Sequence, residues 1–94
     1  MLVEIRKLKI TNEGYHREFS LDKIYINSNS VVSIVDYDNA RDFLLQEGCE
    51  KFLSKNFSLV KINEGSRVDE IIAIGSAEEL YSSFNSRDKG LLNG

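Results

Sequence analysis

Apolar residues alternate with polar ones at period two along most of this chain, and the phase of that alternation changes. In residues 2–10, LVEIRKLKI, Val3 and Ile5 share one face while Leu8 and Ile10 share the other. The phase slips at Arg6-Lys7. Residues 17–26, REFSLDKIYI, behave alike: Phe19 and Leu21 alternate, then Ile24 and Ile26, with a slip at Asp22-Lys23. One extra residue flips every later side chain, so each slip predicts a bulge or sharp bend. Thr11-Asn12-Glu13-Gly14 is a turn between the two strands. Val31–Tyr37 forms a third strand, reached through Asn27-Ser28-Asn29-Ser30.

Asp38 or Asn39 then caps a short helix over Ala40–Gln46, with Ala40, Phe43 and Leu44 on one side. Gly48 suits the position just past its end, so the inserted helix is expected at about 39–48. Phe57–Asn63, FSLVKIN, and Val68–Ile74, VDEIIAI, form a hairpin around Glu64-Gly65-Ser66. Ser76-Ala77-Glu78-Glu79 reads as a capping box, opening a helix that ends near Phe84, about 76–85. Residues 86–94 form a frayed tail. The pattern thus predicts a mainly β domain: a small, strongly bent five-stranded antiparallel sheet or barrel over residues 2–75, with an inserted helix and a C-terminal helix.

Ninety-four residues make one domain. Such a chain buries roughly 60–65% of its unfolded surface, so association would help stability. Ile and Val occupy both phases in Val31-Val32, Ile34-Val35 and Ile71-Ile72, and strands apolar on both faces need two covers. Edge-to-edge self-association is therefore expected. The net charge of −3 and pI near 5.1 make nucleic acid no default partner. A single cysteine, Cys49, allows no internal disulfide and fits a reducing compartment. No apolar run reaches membrane-span length, and MLVEIRKLKI lacks a signal-peptide core. A cytoplasmic location without membrane attachment is expected.

Chemistry is sparse. His16, the only histidine, has no serine, cysteine or aspartate beside it in sequence. Asp36 and Asp38 have the spacing of a calcium-loop fragment but lack its glycine and distal glutamate, so Asp38 reads better as a helix cap. Cys49 reads as an inert thiol. No catalytic residue, metal site or cofactor is expected, and the chain is read as a non-enzyme. The candidate nucleic-acid contacts are Asn27 and Asn29 between strands two and three, Tyr37 as a stacking aromatic, and Lys61, Asn63 and Arg67 around the last hairpin. The competing reading makes them solvent-facing residues that keep strand edges soluble.

The run IYINSNSVVSIVDYD, followed by the hairpin FSLVKIN-EGS-RVDEIIAIGS, resembles the Sm-like (LSm) small barrel, and the chain is similar to small ocean-phage, cyanophage-type proteins of that fold. Strand two has no glycine, and Gly65-Ser66-Arg67 stands where an Arg-Gly would be, so no RNA contact carries over by motif. The resemblance implies a homo-oligomeric ring joined through edge strands, with pore loops that bind single-stranded RNA or DNA, in host cytoplasm if phage-encoded. GSAEELYSSF also resembles the end of FlbD-like small flagellar proteins. The alternative function is a phage module that docks on a host protein without nucleic acid.

Overall fold

The computed structural model describes residues 2–52 and 54–93, with side chains through Asn85. In chain order the elements are β1 (Leu2–Glu13), β2 (His16–Asn27), a single 3-10 turn (Ser28–Ser30), β3 (Val31–Asp36), α1 (Asn39–Gln46), β4 (Phe57–Asn63), β5 (Val68–Ile74) and α2 (Ala77–Asn93). The strands form one antiparallel sheet in the order β2-β1-β5-β4-β3. The sheet is open: β2 and β3 are its edges and no ladder joins them. The closed, strongly bent barrel expected from the sequence is therefore corrected to an open sheet that is not strongly curled.

The two phase slips explain why. β1 and β2 pair without interruption from Leu2↔Asn27 to Glu13↔His16, so neither strand bulges at Arg6-Lys7 or Asp22-Lys23. What changes is the face that is covered. Val3, Ile5 and Ile26 are buried in one cluster with Val60, Ile62, Ala73, Leu80 and Phe84, and Ile24 packs against it. Phe19 is buried in a second cluster with Ala40, Leu44 and Phe57, against which Leu8, Ile72 and Ile74 pack. Period-two alternation puts the two sets on opposite faces. One half of the hairpin thus packs on the α2 side and the other half on the α1 side. The register shift that does occur lies in β3, between Val31 and Ser33. There the sequence is apolar at both phases, so no alternation could reveal it.

The β4–β5 pair is the centre. Phe57, Ser58, Val60 and Ala73 are buried almost completely, and they project to both faces. α1 covers one face through Ala40 and Leu44, and α2 covers the other through Leu80 and Phe84. α1 ends as its sequence suggests. Gly48 has φ +74 and donates from its amide to the Leu45 carbonyl, while the Cys49 amide donates to that of Leu44. Asp38 stands at the N-cap, but its side chain makes no capping hydrogen bond.

The corner between β5 and α2 is held from three directions. Gly75 has φ +115 and donates to the Asn56 carbonyl at 2.7 Å. The buried Ser58 hydroxyl donates to the Gly75 carbonyl at 2.7 Å. The Ser76 hydroxyl accepts from the Glu79 amide at 3.1 Å, the capping contact expected from the sequence. In addition, Asp36 Oδ1 at the end of β3 accepts from the Ala77 amide at 2.8 Å. A carboxylate there satisfies a free amide of the first helical turn and complements the helix dipole. α2 continues to Asn93, past the end expected near Phe84; the side chains of the expected tail, 86–94, lie outside the described residues.

Replacing Asp36 with alanine removes this link. The expected outcome is a stability loss of about 1 kcal/mol, read from the urea midpoint, with Asp36→Asn losing less because an acceptor remains.

Candidate functional site

The candidate residues divide between the two ends of the sheet. Asn27 ends β2 and caps the 3-10 turn, its Oδ1 accepting from the Asn29 amide at 3.0 Å. This Asx-type turn satisfies the backbone of the Asn-Ser-Asn-Ser connector locally. Val31, which follows it, pairs with Ile62, and Asn63 pairs with Val68. The 3-10 turn and the β4–β5 turn therefore occupy the same end of the sheet. Lys61 is exposed there, opposite Ser33 on one side and Glu70 on the other. Asn63 is exposed as well.

Tyr37 lies at the other end. It follows β3, donates from its amide to the Phe57 carbonyl, and packs half-buried against the α1 cluster. Its ring is spent on packing rather than offered beside the two turns. A tyrosine's apolar body and polar tip suit either place, which is why sequence alone did not separate them.

Arg67 is exposed but not a free cation. Its guanidinium lies 3.3 Å from Asp69 and 3.8 Å from Glu64. The Asp69 carboxylate, by a shared hydrogen bond and by repulsion, pushes the Glu64 carboxyl above its ordinary 4.5, and Arg67 pulls against that. Together with Glu70, three carboxylates and two cations meet at this turn. Phosphates would be repelled as much as held.

The feature that sequence reading missed is a groove of about 490 Å³ between β3 and α2. Ser28, Asn29 and Ser33 give it hydrogen-bonding groups, and Val31, Ile34, Tyr81 and Phe84 give it apolar walls. Glu78 is the only charged residue in the lining. Such a lining suits an apolar side chain with a hydrogen-bonding backbone better than an anion. The signal was present as the uncharged run Asn27–Val35, but its neighbour α2 is some fifty residues on.

Elsewhere, His16 is exposed at the end of the β1–β2 hairpin opposite Glu13, and Cys49 packs half-buried on the α1 cluster. Among the described residues, no three His, Cys, Asp or Glu side chains come together as a cation cage, and no helix is long and apolar enough to cross a membrane. Comparison with protein-family models, curated proteins and solved structures finds no match.

The Glu64–Arg67–Asp69 arrangement sets a titration. A raised carboxyl pKa means that the folded state binds the proton more readily than the unfolded chain, so this group opposes folding as pH rises through its folded midpoint and ceases to oppose it on acidification. A carbon-13 NMR titration is expected to place the Glu64 midpoint above 4.5, with Asp69→Asn lowering it and Arg67→Gln raising it further.

Proposed function

We propose that the protein is a non-catalytic, self-associating binding module whose copies join through exposed sheet edge. The observation that carries this reading is β3. It is an outer strand of the sheet, and no charged residue interrupts the chain from Asn27 through Val35. Natural sheets protect their edges with charge, proline or short strands. β2, the other edge, carries Arg17, Glu18, Asp22 and Lys23; β3 carries only Asp36, which is engaged at the α2 N-terminus.

Kinship with the Sm-like small barrel belongs to this proposal. Its support is five antiparallel strands whose two outer members are joined through only Ser28–Ser30, followed by the β4–β5 hairpin and a helix. Single-stranded RNA or DNA is the second reading. Its support is that the Asn27–Ser30 turn and the Lys61–Asn63 segment share one end of the sheet. The carboxylates around Arg67 weigh against tight phosphate binding. Docking of a different protein on the β3 edge is the alternative without nucleic acid, and strand addition is its physical mode.

Light scattering tests the first reading. The mass at micromolar concentration and above is expected to exceed the 10.7 kDa of one chain, whereas a monomer throughout contradicts it. In the same preparation, a salt-sensitive shift with single-stranded oligonucleotides supports the second reading, and no shift at low salt removes it.

A further inference from the structure

We infer that the groove between β3 and α2 is a binding site for a small organic amine. The amine seats with its ammonium at Glu78, its apolar body against Ile34, Tyr81 and Phe84, and a hydrogen-bonding far end at Asn29. The inference stands apart from the self-association reading, since it concerns the groove and not the pairing of a strand edge. Three observations carry it.

The first is size and direction. At about 490 Å³ the groove falls within the range of small-molecule sites, roughly 300–1,000 Å³. Ala77, the first residue of α2, is bound by Asp36 at the end of β3, whereas Ser28 and Asn29 precede the start of that strand. The groove therefore runs along β3 from the start of α2 to the 3-10 turn. On the helix side Glu78, Tyr81 and Asn85 follow one another at i, i+3 and i+7, a single stripe that spans about 10 Å.

The second is the order of chemistry along that length. Glu78 stands at one end. The middle is apolar, with Val31 and Ile34 from the strand and Tyr81 and Phe84 from the helix. Ser28, Asn29 and Asn85 close the other end with neutral donors and acceptors. This order complements an elongated molecule charged at one end only.

The third is the sign of the charge. Among the described residues no cation lines the groove, and Glu78 makes no ion pair or hydrogen bond. Its neighbour Glu79 is different, accepting from the Ser76 hydroxyl at 3.1 Å. The Asp36 carboxylate beside Ala77 adds negative potential at the Glu78 end. An ammonium is attracted there, and a carboxylate or phosphate is repelled.

Three matched probes test the site by NMR titration of the full chain: tyramine; tyrosol, in which a hydroxyl replaces the ammonium; and 3-(4-hydroxyphenyl)propanoate, in which a carboxylate does. Tyramine is expected to shift the amide signals of Ile34, Glu78 and Tyr81 and to bind about fivefold tighter than tyrosol, the worth of an exposed ion pair. The propanoate is expected not to bind. Glu78→Gln is expected to remove the difference between tyramine and tyrosol while leaving the affinity for tyrosol unchanged. Glu13→Gln, at the tip of the β1–β2 hairpin, is expected to leave the affinity for tyramine unchanged. No shift from any probe, equal affinities of tyramine and tyrosol for the wild type, shifts confined to residues outside the groove, or an equal loss in Glu13→Gln and Glu78→Gln overturns the site. The mass of the protein enters none of these outcomes, so their failure leaves the self-association reading standing.

Discussion

The structure depends on the β4–β5 pair being apolar on both of its faces. A sheet with one wet face needs a single cover, but Phe57 with Ile72 and Ile74 on one side, and Val60 with Ala73 on the other, require two. The chain meets this with limited material. α1 supplies Ala40 and Leu44 to one face, α2 supplies Leu80 and Phe84 to the other, and the long β1–β2 hairpin divides its apolar residues between both. Only Lys7↔Ala73 is in register between β1 and β5, so side-chain packing contributes much of the hold between hairpin and centre.

Placement of α2 follows from the polar contacts at its start. Gly75 turns the chain, Ser58 binds the Gly75 carbonyl from inside the sheet, and Asp36 binds the first helical amide from β3. These contacts couple helix, core and edge strand at one corner. They also keep the single carboxylate of β3 engaged, which leaves the rest of that strand neutral. The groove between β3 and α2 lies beside this corner.

Local signals made part of this readable from sequence. Gly48, the Ser76 cap and the hairpin around Gly65 each carry their own chemistry within a few residues, and each stands where that chemistry placed it. The phase slips in β1 and β2 were visible, but period two says only that the apolar face changes. Whether a bulge or a change of cover causes it is decided by residues far along the chain. Barrel closure is likewise a matter of non-local register, and β2 and β3 do not pair. The Asp36–Ala77 contact joins residues 41 apart and has no sequence signature. Arg67 is different: its ion pairs are with residues three before and two after it, and that neutralisation could have been read directly.

A doubly covered centre with one unguarded edge makes a specific claim about backbone protection. β4 and β5 should be shielded by the chain's own packing, while under the proposed self-association the outward amides of β3 are shielded only when a second copy is bound. Amide hydrogen exchange followed by NMR in dilute and in concentrated protein measures this directly. The account predicts slow exchange in β4 and β5 at both concentrations, and outward β3 amides that exchange fast when dilute and slowly when concentrated. Outward β3 amides with the same exchange rate at both concentrations, or β4 and β5 amides that lose protection on dilution, would contradict it.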